Sequence, residues 1–263
     1  MSPRPVTIAV LAYGDHPALA RRCLESIRRH CGRELYRLVV GANAVGAETR
    51  AYLEGLRSEG AIDRLLVSET NLNKCPMMRK MVAGLETEFL WWFDDDSFVE
   101  SPAALPERLR VAGSSPPETV MWGHVFYYGN ENDFSFGTDV AGYVRRARWY
   151  RRKEPPSWTA GGGGGDGRWF FPTGGCWFIR SSAIRVLDWP DPGLIKRNDD
   201  VLLAEALRQQ GWEFRDIGAC GVAINTEPRR GEGEDRETME KQMAPGRLEQ
   251  GGGAPGLPVL RLP

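Results

Sequence analysis

Apolar residues along this chain alternate between two rhythms. Val6-Thr7-Ile8-Ala9-Val10-Leu11-Ala12 is an uninterrupted run rich in β-branched side chains, the pattern of a strand buried on both faces. It stops at Tyr13-Gly14-Asp15. Pro17 then suits a first helical position. Beyond it Ala20, Cys23, Leu24 and Ile27 fall on one side while Arg21, Arg22, Glu25, Arg28 and Arg29 take the other, so an amphipathic helix is predicted, closed by Gly32. The alternation repeats with a strand over 38–43, a helix over 48–57 that stops near Gly60, a strand over 65–68, and a helix carrying Met78, Met81, Val82 and Leu85. Phe89-Leu90-Trp91-Trp92-Phe93 is a fourth strand, and it runs without a break into Asp94-Asp95-Asp96.

Strands alternating with helices predict right-handed crossovers and an α/β fold, with a mostly parallel central sheet and helices on both faces. Ligands of such sheets bind at the carboxyl ends of the strands, where Tyr13, Asn43 and Asp94 to Asp96 fall. The second half is less regular. It predicts strands over 120–128 and 174–180 and a helix over 199–210 ended by Gly211. Between them, 145–156 is basic, aromatic and then interrupted by proline, and the glycine run 161–165 reads as a mobile loop. From Glu227 the chain is polar and rich in Gly and Pro, the composition of a tail that is disordered or orders on binding. No internal repeat is present.

Composition removes several classes of function. With 34 basic against 35 acidic residues and a pI near 6.4, no global positive field gathers nucleic acid, which is not an expected partner. Five cysteines, odd in number and without a Cys-x-x-Cys pair, read as reduced thiols rather than as a disulfide or zinc framework. The first residues enter a strand without the apolar stretch and cleavage site of a signal peptide, and no run is long enough to span a bilayer. A cytoplasmic protein is expected, with a peripheral membrane contact left open.

Three aspartates at one strand end repel one another unless a cation sits among them. Hard oxygen ligands suit Mg²⁺ or Mn²⁺, and such an ion bridges a pyrophosphate and neutralises charge on a phosphate leaving group. A solvated turn ahead of a helix start at Ser101-Pro102 is the plainer account of the same residues. Asn198-Asp199-Asp200 opens the 199–210 helix, where the helix dipole favours negative charge and capping is commonplace. Beside a metal-type cluster, a carboxylate fixed there also suits a general base for a hydroxyl. Trp158 and Trp169 flank the glycine run, and they are as well placed for stacking on a sugar as for packing, whereas most of the nine tryptophans are expected in the core. Lys74, Arg79 and Lys80 surround the start of the third helix. Arg79 is the better contact for a phosphate or a base, and Lys80 reads as a solvated face. The cluster Arg145, Arg146, Arg148, Arg151, Arg152 and Lys153 suits an anionic acceptor, an acidic membrane surface or a solvated segment. Gly162, Gly164 and Gly167 satisfy G-x-G-x-x-G but follow no strand, and no P-loop, zinc-protease histidine spacing or G-x-S-x-G elbow is present.

The order of these landmarks resembles the family 2 glycosyltransferases and their relatives with the A-type glycosyltransferase (GT-A) fold, over roughly 6–224. The resemblance is carried by the opening strand to Tyr13, by Trp92-Phe93-Asp94-Asp95-Asp96, by Gly174-Gly175, and by Asp199-Asp200-Val201-Leu202-Leu203 running to Gly211-Trp212. It implies one GT-A catalytic domain over 1–226, with a donor half over about 1–100, an acceptor half over about 101–226, and 227–263 as tail. It further implies a metal-dependent, inverting transfer of a sugar from a nucleoside-diphosphate sugar to an acceptor hydroxyl on a carbohydrate, protein or small molecule. Ala12 and Tyr13 would line the nucleoside pocket, with Arg79 and Asp95 in the donor site and Asn43 where the family often has an aspartate reading the base. Asp94 would face the ribose, Asp96 would ligate Mn²⁺ or Mg²⁺, and Asp200 would be the base. Gly174, Gly175, Trp177, Trp169 and Asp199 would shape the acceptor site. Asp199 replaces the family's usual glutamate. No histidine follows His124, although many members with this fold add a late histidine ligand; Asn225 or a water would take its place. Two rival readings remain. One is a nucleotidyltransferase, whose glycine-rich loop with Thr-Arg and lysine is absent after Leu11. The other is a catalytically silent nucleotide- or sugar-binding module on the same fold.

Overall fold

The computed structural model describes residues 4–128, 146–151, 169–194 and 199–224. The glycine run, Trp158, Asn198, Asn225, the tail 227–263 and most of the basic segment 145–156 lie outside them. In chain order the elements are β1 (Val6–Tyr13), α1 (Pro17–His30), β2 (Tyr36–Asn43), α2 (Ala47–Ser58), β3 (Arg64–Ser68), α3 (Lys74–Val82), β4 (Phe89–Asp94), β5 (Phe98–Val99) and α4 (Ala104–Ser114). After these come β6 (Thr119–Tyr128), β7 (Trp169–Arg180), α5 (Ser181–Leu187), α6 (Asp199–Gln209), β8 (Glu213–Asp216) and β9 (Val222–Ala223).

Among the described residues seven strands form one sheet in the order β3-β2-β1-β4-β7-β6-β8. β1 pairs in parallel with β2 and with β4, β2 with β3, and β6 with β8. β7 is antiparallel to both of its neighbours. The mostly parallel sheet is therefore as expected, with one reversed strand that the apolar pattern did not announce. β5 and β9 make a separate two-stranded ladder.

Alternation within the central strands sorts the core into two layers. Ile8, Val10, Trp91 and Phe93 pack with Leu24 and Ile27 of α1, Leu53 of α2 and Leu105 of α4. Ala9, Leu11, Leu90 and Trp92 point the other way, towards Met77, Met78 and Met81 of α3, Ile184 of α5 and Leu203 of α6. Successive strand residues face opposite sides, so an unbroken apolar run is what a sheet covered on both faces requires. Trp91, Trp92, Trp122, Trp149, Trp177 and Trp189 are all buried. No helix among the described residues is long and apolar enough to cross a membrane. None of the five cysteines is in a disulfide, and burial pushes the thiols of Cys31 to about 12 and Cys176 to about 11, so these two stay protonated and unreactive.

One contact in this frame positions the rest. α3 lies directly on β2 at Gly41, where a Cβ would overlap the Met81 sulfur and sit 3.1 Å from Met77 Cε. Gly41→Val should lift α3 from the sheet and cost about 1–3 kcal/mol through overpacking. Chemical denaturation should show this as a lower midpoint with an unchanged slope, and an unchanged midpoint would refute the close approach.

Candidate active site

The parallel ladders bring three strand ends to one level. Tyr13 is in register with Asn43, and Leu11 with Asp94. The three aspartates that follow then diverge. Asp94 accepts a hydrogen bond from Trp92 Nε1 at 3.1 Å on one oxygen and from Lys74 Nζ at 3.0 Å on the other. Beneath it Trp92 stacks on Trp177, with ring centroids 5.8 Å apart and planes 15° from parallel. Asp95 turns inward, only 1% exposed, and accepts the Tyr13 N–H at 3.2 Å, tying the end of β1 to the end of β4. Asp96 sits half-buried in the turn, where the Ser97 hydroxyl donates to it at 3.5 Å. Among the described residues no three His, Cys, Asp or Glu side chains converge into a group able to hold a metal ion.

A second acidic pair arrives from α6, packed against β7. Asp199 Oδ2 lies 3.2 Å from Lys74 Nζ, with its side chain 10% exposed. Asp200 Oδ1 accepts the Val201 N–H at 2.9 Å. Gly174 of β7 admits the approach: its carbonyl accepts from Lys74 Nζ at 2.9 Å, and a Cβ there would meet Asp200 Oδ2 at 3.2 Å and Lys74 Nζ at 3.4 Å. Carboxylates from the ends of β4 and the start of α6 are thus gathered round one ammonium.

This arrangement raises the proton affinity of both acids and of the lysine, for different reasons. Burial, then the neighbouring Asp199 charge, pushes Asp200 up to about 7, against the lowering effect of Lys74. Asp199 is also raised, by burial first, with Lys74 opposing. Burial works against the charge on Lys74, but Asp199, Asp94 and Asp200 together hold its ammonium well above the usual lysine range. An acid that titrates near neutrality beside a fixed cation is suited to accept a proton.

The remaining sequence-derived residues are placed as follows. Ala12 is buried in the core. The Asn43 amide is engaged by the loop ahead of α3: Nδ2 donates to Asn71 Oδ1 at 3.1 Å and to Asn73 O at 3.5 Å, and Oδ1 accepts the Leu72 N–H at 2.9 Å. Asn71 Nδ2 in turn donates to the Tyr13 hydroxyl at 3.3 Å. Arg79 turns from the carboxylates to the carbonyls of Asp188 and Pro190, at 2.9 and 2.6 Å, and to the Asp188 carboxylate at 2.8 Å. Asp188 also pairs with Arg148 of the basic segment at 2.9 Å. Gly175 N–H meets the buried Thr173 hydroxyl at 3.4 Å. Trp177 is buried beneath Asp94 rather than presented to a ligand, and Trp169 opens β7.

Lys74 is the residue that sequence reasoning passed over, having weighed it only as one of three basic residues near a helix start. A signal was available. Lys74 is the first residue of α3, where the helix dipole disfavours a cation, so a lysine there calls for anions outside its own helix. The backbone just before it adds a second sign. Asn73 has φ 67° and ψ 167°, a conformation that costs a residue bearing a Cβ on the order of 1–3 kcal/mol and persists only where the surroundings enforce it. The Asn73 N–H to Asn71 Oδ1 bond at 2.8 Å belongs to that enforcement.

No family model matches the chain, and no curated protein does. Solved structures do. The mannosyltransferase PcManGT from Pyrobaculum calidifontis, in complex with GDP-Man and Mn²⁺, superposes with a TM-score of 0.60 at 14% identity, over 86% of this chain and 58% of that one. TarS 1-349 from S. aureus does so with a TM-score of 0.52 at 12% identity, over 81% of this chain and 58% of that one. Its complex with UDP-GlcNAc gives 0.50 at 12% identity, over 86% and 59%. The chain thus spans just under three-fifths of the length of these neighbours. At such identities the likeness concerns the fold: the chain has the α/β GT-A fold, as the sequence resemblance implied.

The raised proton affinity of Asp200 has a consequence for stability. The folded carboxyl holds its proton to about 7, well above an ordinary aspartate near 3.9. Between those values the folded state binds more protons than the unfolded one, so this group's contribution falls as pH rises through that window and is flat above it. Asp200→Asn removes the effect. The melting temperature of the variant, relative to the parent, should climb between about pH 4 and pH 7 and then level off; a difference independent of pH would show that Asp200 ionises normally.

Proposed function

We propose that this chain is a glycosyltransferase that moves a sugar from a nucleoside-diphosphate sugar to an acceptor hydroxyl with inversion, Asp200 acting as the general base. One arrangement carries this reading: on a GT-A sheet, the buried Asp200 carboxyl, pushed up to about 7 by burial, meets Lys74 at Gly174, and that ammonium is bonded to Asp94 at the carboxyl end of β4. The nucleotide sugars bound by the structural neighbours, GDP-Man and UDP-GlcNAc, support the donor class without naming the sugar or the base.

In this mechanism Asp200 takes the proton of the acceptor hydroxyl as its oxygen attacks the anomeric carbon. The bond from that carbon to the β-phosphate oxygen breaks, and the electron pair leaves with the nucleoside diphosphate. Attack opposite the leaving group inverts the anomeric centre. Asp94, fixed by Trp92 and Lys74, is the residue we assign to the ribose. Tyr13 and Asn71, joined through the tyrosine hydroxyl, border the nucleoside, and Asn43 acts behind them by holding the loop 71–73. Gly174 keeps the approach to Asp200 open.

The donor set also fits a divalent cation in a particular way. Asp94 is engaged on both oxygens and Asp95 is buried against Tyr13, so Asp96 is the carboxylate we assign as protein ligand. A single carboxylate completed by diphosphate oxygens and water is a common setting for Mg²⁺, and Mn²⁺ accepts the same oxygen ligands. When bound there, such an ion would neutralise charge on the departing diphosphate. A protein site this sparse should load weakly without nucleotide.

Calorimetric titration of uridine, guanosine and thymidine diphosphates, with and without Mn²⁺, tests the donor site. One nucleotide should bind in a metal-dependent manner, and Asp96→Ala should abolish that dependence; binding of none of the three would end the donor-site assignment. Asp200→Asn should leave nucleotide affinity within about threefold while lowering release of nucleoside diphosphate from the matching nucleotide sugar by about 10²–10⁴-fold. Nucleotide binding without any turnover in the parent protein would favour a silent binding module.

A further inference from the structure

Lys74 has three ammonium protons and three acceptors. Nζ reaches Asp94 Oδ2 at 3.0 Å, the Gly174 carbonyl at 2.9 Å and Asp199 Oδ2 at 3.2 Å. These acceptors stand on β4, on β7 and on the first turn of α6, so one side chain spans the strand end assigned to the donor and the helix that bears the base. Its ion pairs go to Asp94 and Asp199, whereas Asp200 feels its charge without pairing with it. Among the described residues the cluster therefore contains one cation, two carboxylates bonded to it, and a third left over.

Resting on the reading above, we propose that Lys74 is a positioning residue for the reaction: by bonding to Asp94 and Asp199, it leaves Asp200 as the carboxylate of the cluster that exchanges a proton. The physical basis is competition. A carboxylate that accepts a hydrogen bond from an ammonium is favoured in its charged form, and a carboxyl beside an already charged carboxylate is favoured in its neutral form. Lys74 imposes the first condition on Asp199, against the burial that raises it, and Asp199 imposes the second on Asp200. Asp199 on its own helix, Lys74 from α3 and the Val201 N–H act on Asp200, the Cys75 thiol of α3 feels its charge, and β7 contributes the Gly174 backbone. Burial and the carboxylates around it keep that thiol protonated, which leaves Lys74 as the one cation among these groups. Asn73, with φ 67° immediately before Lys74, and the Asn43–Asn71 clip behind it hold the start of α3 in place. The sequence thus devotes a constrained backbone and a buried amide to aiming one lysine.

The test is direct. In protein carrying ¹³C-carboxyl aspartate, the resonance missing from Asp200→Asn reports Asp200, and it should titrate in the neutral range in the parent. Lys74→Gln should raise that titration by about one unit or more. Lys74→Arg, which keeps the charge, should restore it to within about half a unit of the parent. Asp199→Asn should lower it. If Lys74→Gln fails to fold, the Asp199→Asn shift decides, and an unmoved Asp200 there overturns the proposal. The pH dependence of nucleoside diphosphate release supplies a second readout. In Lys74→Gln the rising limb should move up with the titration, cutting turnover about fivefold to tenfold at pH 7 and recovering at higher pH, with the donor KM changed far less. A loss equal at every pH would mark a purely structural lysine and overturn the proposal. The titration needs no substrate, so absence of turnover with the expected shifts would sink the transferase reading alone, and turnover with an unresponsive Asp200 would sink the role of Lys74 alone.

Discussion

Asp94, Asp199 and Asp200 would repel one another wherever a chain assembled them, and this fold does assemble them, because β7 lies beside β4 and α6 packs on β7. One ammonium makes the gathering tolerable. It can do so because Gly41 lets α3 settle onto β2 and Gly174 has no side chain to hold α6 away. A Cβ at Gly41 would overlap the Met81 sulfur, and one at Gly174 would crowd Asp200 Oδ2 and Lys74 Nζ; leaving such buried charges unpaired is far costlier than burying a satisfied cluster. Packing in the sheet layers and electrostatics at the strand ends are thus one constraint seen at two scales.

The same crowding assigns unlike roles to adjacent identical residues. Asp94, Asp95 and Asp96 have the same side chain, yet one is fixed by a tryptophan and a lysine, one is buried as a tie to β1, and one stays in the turn. A strand that ends in a turn must send consecutive side chains in different directions. Three carboxylates in a row therefore do not make a three-carboxylate site.

Much of the fold was legible because two-sided burial leaves an unmistakable pattern. The predicted limits of β1 to β4, α1 and α2 fall within two residues of those observed. Where the pattern was ambiguous, the reading drifted. Leu85 continues the helical spacing of Met78 and Met81, but α3 stops at Val82 and Gly84 turns the chain with φ 73°, so Leu85 packs from the turn. The reversed direction of β7 left no trace, since a strand buried on both faces looks alike from either end. The short elements α5, β5, β8 and β9 fall below the length at which periodicity speaks. At the site, the carboxylates were visible as clusters, whereas their common partner was not. Nothing in a linear chain brings Lys74 next to Asp199, and only the unfavourable position of a cation at the start of α3 hinted at it. Arg79 had the right charge, but Asp188 and Pro190 claim it.

The reversal of β7 also decides where novelty can enter. β6 ends at Tyr128 and β7 begins at Trp169, paired in register, so the stretch 129–168 departs from and returns to the same edge of the sheet that carries the carboxylates. The rungs between these two strands fix only where that stretch leaves and where it rejoins.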